Sequence, residues 1–292
     1  MESYNTVYLN VRRRLHEAGV TAYEMESRLI MMHATGMSRE ELLNSSKKYL
    51  TDSKVKKKVG IMTDRRISGE PLAYIIGGWE FYGIPLIINS SVLVPRVDTE
   101  ILAEEAIREL RLSQQKPRLL DLCAGSGCIG LAVAASVPEC RVVLAENSDS
   151  ALAVCRMNML FNRLSGRTIA VKADALAQPS ERLGIFDMIV CNPPYIPTAD
   201  IKELDISVRG YEPVIALDGG TEGLKFFRAV TENWTSVLKD NGLLAFECGA
   251  GQAEAVRAIM SANGYSNLLT SNDTLGIERV VSGRICRGDN SQ

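Results

Sequence analysis

The pattern of apolar and polar positions divides the chain into a helical beginning and a longer remainder in which two periodicities alternate. Val7, Leu9, Val11 and Leu15 recur at near-helical spacing, and Gly19 offers a stop. A second helix is expected from about Ala22 to Thr35, with Gly36 as its C-terminal break, and a longer one from Lys54 to Ile67, ending at Gly69. Between them, Ser38-x-x-Glu41 fits a capping box, in which each side chain satisfies a free backbone N–H at the other's position. Together these make a small helical bundle. Aromatic and β-branched residues then flank Gly83 between Trp79 and Ile88, which predicts a hairpin.

From Pro95 onward, short apolar runs alternate with helical stretches. Arg118 to Leu122 leads into glycines, and Val142 to Ala145 ends at Glu146. Thr168 to Val171 precedes Asp174, Met188 to Val190 precedes Asn192, and Leu243 to Phe246 precedes Glu247. That order predicts an α/β fold, a doubly wound and mainly parallel sheet, which binds ligands beyond the carboxyl ends of its strands. Three regions are expected: a helical domain over residues 1–75, a hairpin linker over 76–95, and a catalytic domain over 96–286.

Composition narrows the function more than the fold. Of 292 residues, 46% are hydrophobic and 23% charged, so a sizeable core is expected. The 33 basic residues nearly balance the 35 acidic ones, which gives no global footprint for nucleic acid. The clusters at Arg12 to Arg14 and Lys54 to Lys58 read as solvated helix faces. Seven cysteines without a C-x-x-C pair argue against a disulfide framework and a zinc site. With His16 and His33 as the only imidazoles, neither a histidine metal centre nor a Ser-His-Asp triad is expected. The absence of a signal peptide and of a long apolar run leads to the expectation of a cytoplasmic protein, not a membrane one; nothing demands more than a monomer.

Two stretches carry chemistry. The first, Cys123-Ala124-Gly125-Ser126-Gly127, follows a strand and opens a helix. Its glycines let backbone approach a ligand with no Cβ in the way. Gly125, Gly127 and Gly130 also satisfy G-x-G-x-x-G, with Glu146 about 20 residues on, so this loop alone does not separate a nicotinamide dinucleotide from S-adenosylmethionine. Glu146 can accept from both ribose hydroxyls, and Asp174 from an adenine amino group.

The second stretch is Asn192-Pro193-Pro194-Tyr195. Two prolines fix two φ angles, remove two backbone donors and bias Asn192 to an extended conformation. Their carbonyls and the Asn192 side-chain oxygen make a rigid acceptor set for an NH₂ group, and Tyr195 offers a flat face for a planar amide or base. An amide nitrogen is a poor nucleophile because its lone pair is delocalised. Holding both hydrogens on acceptors aims that lone pair and favours the charge that develops on nitrogen, with no strong base required.

These motifs, with Glu70-Pro71-Leu72-Ala73-Tyr74-Ile75, Glu80-Phe81-Tyr82-Gly83 and Val94-Pro95-Arg96-Val97-Asp98-Thr99-Glu100, resemble the protein-(glutamine-N5) methyltransferases that act on peptide chain release factors. The similarity extends to Gly276-Ile277-Glu278-Arg279-Val280 and so covers nearly the whole chain. Asn-Pro-Pro-Tyr is shared with enzymes that methylate amino groups of DNA and RNA, whereas the Pro95-Arg96-x-x-Thr99-Glu100 segment is more family-specific.

The resemblance implies a Rossmann-like class I methyltransferase sheet of seven strands behind the helical bundle. It also implies S-adenosylmethionine as methyl donor, with S-adenosylhomocysteine as product. The implied substrate is the Gly-Gly-Gln glutamine of class I release factors, docked between the domains, with no direct nucleic acid. By the family pattern, Cys123 to Gly127, Glu146 and Asn192 contact the cofactor, with Asp174 and Ala175 beside the adenine. Asn192, Pro193, Pro194 and Tyr195 contact the glutamine, and Asn192, Pro193 and Tyr195 carry the catalysis. Many relatives have glycine in place of Cys123 and aspartate in place of Glu146.

Three other readings compete. An adenine N6-methyltransferase lacks a basic surface here, and an NAD-dependent oxidoreductase leaves Asn192 to Tyr195 unexplained. A non-enzymatic module leaves the acceptor groups of Asn192 and Glu146 without a use.

Overall fold

The structure, a computed structural model, describes residues 2–113 and 115–286. The chain divides into two compact units, one of residues 1–77 with 205–211 and one of 78–204 with 212–292.

The first unit is helical: α1 (Tyr4–Glu17), α2 (Tyr23–Thr35), α3 (Arg39–Asn44), α4 (Ser53–Ile67) and α5 (Leu72–Ile76). Later in the chain it also receives the short helix α9 (Ile206–Arg209). Val7, Val11 and Leu15, four apart, form the buried face of α1, whereas Leu9 lies on the opposite side and is 47% exposed. The capping box of Ser38 and Glu41 is present at the start of α3. Gly36 closes α2 in the left-handed conformation, where glycine carries no Cβ penalty. Ile206 of α9 lies against Gly69, and the Tyr211 hydroxyl donates to the Ser68 carbonyl at 3.0 Å.

The second unit begins with a hairpin, β1 (Gly78–Phe81) and β2 (Ile84–Ile87), which turns on Tyr82 and Gly83, both at positive φ. Its main elements then follow as α6 (Glu100–Arg111), β3 (Arg118–Leu122), α7 (Cys128–Ser136), β4 (Arg141–Glu146), α8 (Asp149–Phe161), β5 (Thr168–Lys172) and β6 (Phe186–Cys191). After these come α10 (Lys225–Asn233), β7 (Leu238–Glu247), α11 (Ala253–Ala262), β8 (Tyr265–Asn272) and β9 (Glu278–Ile285). Among the described residues the sheet has seven strands in the order β5-β4-β3-β6-β7-β9-β8. Pairing is parallel from β5 to β7, and β9 runs antiparallel to both of its neighbours.

The central strands β3 and β6 are buried on both faces, which is why they are mostly apolar, with Asp121 and Asp187 the acidic exceptions. From β3 the chain winds outward through β4 and β5, then returns to lay β6 on β3's other side. The switch point of the sheet therefore falls between β3 and β6.

Candidate active site

In the register of β3 and β6, Leu122 stands opposite Cys191. The residues that follow, Cys123 and Asn192, therefore leave the sheet side by side at the switch point. The Cys123 thiol hydrogen-bonds that of Cys191, whose own thiol is pushed well up, chiefly by burial. The two stretches singled out in the sequence are thus brought to one place.

On the glycine-loop side, the Gly125 amide donates to Glu146 Oε2 at 2.9 Å, and the Ser148 amide to Oε1 at 2.8 Å. Two acceptor bonds orient the carboxylate at the end of β4 and leave further lone pairs. Gly125 has φ +55°, and a Cβ there would point into open space, so the backbone has a bare face. The Ala124 amide donates to the Ala145 carbonyl at 3.1 Å, and the Gly127 amide to that of Ala124 at 2.7 Å.

Gly130 answers a different need. A Cβ there would collide with the Leu144 side chain and lie 2.9 Å from Val142 Cγ1. It lets α7 seat against β4 and is a packing glycine. Its amide donates to Asp121 Oδ2 at 2.8 Å. Burial lifts the Asp121 carboxyl to about 7 against that hydrogen bond, and the charge of Glu146 adds to the rise.

Ser126 is buried, and its carbonyl accepts from Asn158 Nδ2 at 2.9 Å. Asp174 is exposed and folded into a local turn, its Oδ1 accepting from the Leu176 amide at 2.9 Å. Ala175 is buried beside it, with its carbonyl taking the Trp234 indole N–H at 3.0 Å.

On the other side, the carbonyls of Pro193 and Pro194 accept no hydrogen bond among the described residues. Asn192 Nδ2 donates to Thr99 Oγ1 at 3.3 Å, which leaves its Oδ1 without a protein donor. The Tyr195 hydroxyl donates to Glu247 Oε1 at 3.5 Å, and burial pushes its phenol above the ordinary tyrosine range. Gln252 anchors the loop: its Nε2 donates to the Tyr195 carbonyl at 3.0 Å and its Oε1 accepts from the Gly249 amide at 2.9 Å. Oδ1 of Asn192 and the proline carbonyls thus form a set of acceptors with no competing donor nearby in the backbone.

Residues 98–206 match the model of the methyltransferase small domain, and residues 7–77 that of the PrmC N-terminal domain. The release factor glutamine methyltransferase of Geobacter sulfurreducens is 39% identical over 276 residues, 94% of this chain and 94% of that protein. Its counterpart in Bradyrhizobium diazoefficiens is 34% identical over 287 residues, 97% and 95% of the two chains.

The chain belongs to the release factor glutamine methyltransferases.

Among solved structures, a methyltransferase from Pyrococcus furiosus shares the fold, with a TM-score of 0.52, 16% identity, and coverage of 78% of this chain and 99% of that one. The sheet is accordingly that of a Rossmann-like class I methyltransferase, and the chain is a methyltransferase by family. Among the described residues no helix is long and apolar enough to cross a membrane, and no group of three His, Cys, Asp or Glu residues could hold a metal.

Thr99, Asn158, Glu247 and Gln252 carry no site role by sequence, yet each is bonded to one of the two stretches that do. One local signal existed for Glu247, an acidic residue directly closing an apolar strand. Asn158 in a helix and Gln252 in a loop give none.

Proposed function

We propose that this protein transfers a methyl group from S-adenosylmethionine to the side-chain amide nitrogen, N5, of the glutamine in the Gly-Gly-Gln motif of class I release factors. The observation that carries the reading is the acceptor set at the end of β6. Asn192 turns its nitrogen to Thr99, which leaves its oxygen, with the carbonyls of Pro193 and Pro194, for a nitrogen that donates two hydrogen bonds. Family membership selects the glutamine of a release factor over adenine.

The residues on the glycine-loop side suit the cofactor. Cys123, Ala124, Gly125, Ser126 and Gly127 would lie along it, Glu146 would accept from its ribose, and Asp174 and Ala175 would border its adenine. The bare face at Gly125 and the oriented carboxylate of Glu146 support that fit. When bound, S-adenosylmethionine supplies an electrophilic methyl on a sulfonium and leaves as S-adenosylhomocysteine.

The protein's part is orientation. Oδ1 of Asn192 and the Pro193 carbonyl accept the two amide hydrogens, which directs the nitrogen lone pair and favours positive charge on nitrogen as it is alkylated. The nitrogen becomes acidic once it carries the methyl, so its proton passes to water without a strong base. Tyr195 gives the planar amide a surface to lie on. The helical first unit is assigned to docking the release factor, and the protein acts on it as a monomer, without nucleic acid.

Labelled S-adenosylmethionine with a folded class I release factor tests this directly. Label is expected on the Gly-Gly-Gln glutamine and absent from a factor carrying alanine there. Equal label in the alanine factor, or label in DNA and none in the factor, overturns the proposal.

A further inference from the structure

Pro193 and Pro194 give the acceptor loop fixed φ angles, yet they also deny it the backbone donors that would tie it to its neighbours. Beyond them, the Ile196 amide donates to the Leu217 carbonyl at 3.0 Å, and the Ile196 carbonyl accepts from the Gly219 amide at 2.8 Å. Tyr195 lies between, and its carbonyl accepts from Gln252 Nε2 at 3.0 Å. Among the described residues no other side chain donates to the backbone of residues 192–195.

Gln252 stands between β7 and α11, outside every motif of the family, and is itself held in place. Its amide donates to the Gly249 carbonyl at 3.1 Å, and its Oε1 accepts from the Gly249 amide at 2.9 Å. A side-chain amide has one accepting end and one donating end. With Oε1 committed to an N–H, the NH₂ must face the Tyr195 carbonyl. Turned round, it would set NH₂ against N–H and oxygen against oxygen. The turn at residues 249–252 therefore decides which end of Gln252 meets the loop.

Three glycines make room for this tie. A Cβ on Gly223 would collide with the Tyr195 carbonyl oxygen and lie 2.8 Å from Gln252 Nε2. One on Gly219 would lie 2.8 Å from Tyr195 Cα and 2.9 Å from the Pro194 carbonyl oxygen. One on Gly249 would lie 2.9 Å from Gln252 Oε1 and 3.2 Å from Cδ2 of the Tyr195 ring. Main chain packed this closely passes a displacement on instead of absorbing it.

We propose that Gln252 is a positioning residue for methyl transfer: held on Gly249, it fixes the Tyr195 carbonyl and so sets the pose of the Tyr195 ring and of the proline carbonyls before it, the surfaces that receive the substrate amide. This inference rests on the function proposed above. It gives the loop after β7 a part in the reaction without any contact with the reacting atoms.

The test measures kcat and KM for both substrates in the parent, Gln252→Met and Gln252→Glu, with urea midpoints and calorimetry on S-adenosylhomocysteine beside them. Gln252→Met keeps the length of the side chain and loses both of its hydrogen bonds. Its kcat should fall about tenfold to a hundredfold, with KM for S-adenosylmethionine within about twofold. Gln252→Glu separates the two bonds. At pH 8.5 the introduced carboxylate can still accept from Gly249 but turns an oxygen on the Tyr195 carbonyl, so kcat should fall as far as in Gln252→Met. As pH is lowered to 6 the introduced group gains a proton to donate, and its rate relative to the parent should rise. Glu247, Arg279 and Arg96, the charged groups that act on Tyr195, are common to both proteins and cancel in that ratio.

A Gln252→Met enzyme with the parent's kcat, or one whose whole loss lies in KM for the cofactor, overturns the inference. So does a Gln252→Glu enzyme with the parent's rate at pH 8.5, because closing the turn on Gly249 is then all that Gln252 does. Should Gln252→Met not fold, the ratio for Gln252→Glu decides: a rise toward pH 6 supports the inference and a flat ratio overturns it. A parent that leaves the factor unlabelled refutes the proposed function, whereas a parent that labels it beside indifferent variants refutes only the role of Gln252.

Discussion

Asn158 Nδ2 donates to the Ser126 carbonyl at 2.9 Å, so a residue in α8 carries part of the glycine loop. The same side chain accepts from the Ile87 amide at 2.7 Å and donates to the Ile87 carbonyl at 3.1 Å. One fully buried amide therefore joins β2 to the loop. Asn158→Leu would leave the buried Ser126 carbonyl and the part-buried Ile87 amide and carbonyl unpaired, and an unpaired buried group costs about 1–3 kcal/mol. We expect a loss of about 2–3 kcal/mol in urea unfolding. Calorimetry with S-adenosylhomocysteine should show weaker binding as the loop loses its support. Unchanged values in both would remove Asn158 from this role.

The loop glycines should separate by experiment. Gly130→Ala places a methyl into Leu144 and Val142 and should destabilise the fold by about 1–3 kcal/mol, read as a lower urea midpoint. Gly125→Ala meets no protein atom and carries only the strain of its φ of +55°, about 1–2 kcal/mol. Its larger effect should be on cofactor affinity, because the new methyl enters the bare face that the proposed function gives to the cofactor. If Gly125→Ala binds cofactor normally, that face is not the cofactor's.

Glu146→Ala removes the acceptor for both the Gly125 and Ser148 amides. Hydrogen bonds to a charged group are worth about 1.5–3 kcal/mol each, so cofactor affinity should fall about a hundredfold. Glu146→Asp is the informative companion. Should it bind as well as the parent, the extra methylene of this chain is absorbed by a small shift.

Asn192→Ala should lower turnover by about a hundredfold or more, from loss of one oriented polar contact. Cofactor binding measured by calorimetry should change far less. A normal methylation rate would defeat the acceptor argument.

Asp121 offers a check on pH and stability. Its carboxyl is lifted to about 7 in the folded protein, above the ordinary value of 3.8, so the folded state holds the proton more tightly than the unfolded one. Its favourable contribution is complete below the unfolded value and is lost as pH rises through about 7. Asp121→Asn should therefore gain thermal stability relative to the parent at pH 8 and little at pH 4. A gain independent of pH would rule out this linkage.

The legibility of the sequence followed the range of the interactions. Strands β3, β4, β6 and the end of β7 could be read as apolar runs because parallel strands with both faces covered have few polar positions, whereas the edge strand β5 was legible from its β-branched residues alone. β8 could not, because it lies at the sheet edge with Ser266, Asn267 and Thr270 along it, and β9 carries Arg279, Ser282 and Arg284. Only the family resemblance anticipated those two. The glycine loop and the Asn192 stretch are local motifs whose residue types state their chemistry. Thr99, Asn158 and Glu247 act on partners 93, 71 and 52 residues away, and such pairings exist only once the sheet has formed.

The segment 205–211 lies just beyond the acceptor loop yet belongs to the helical unit, where Ile206 meets Gly69 and Tyr211 meets Ser68. The chain thus crosses between units three times, after residues 77, 204 and 211. A fragment ending at Gly77 leaves Gly69 and Ser68 without these partners, and one beginning at Gly78 carries Ile206 and Tyr211 with nothing to cover them. No single recombination point exchanges one unit cleanly for that of another protein. The helical unit is therefore inherited together with the segment 205–211 that follows the acceptor loop in the chain.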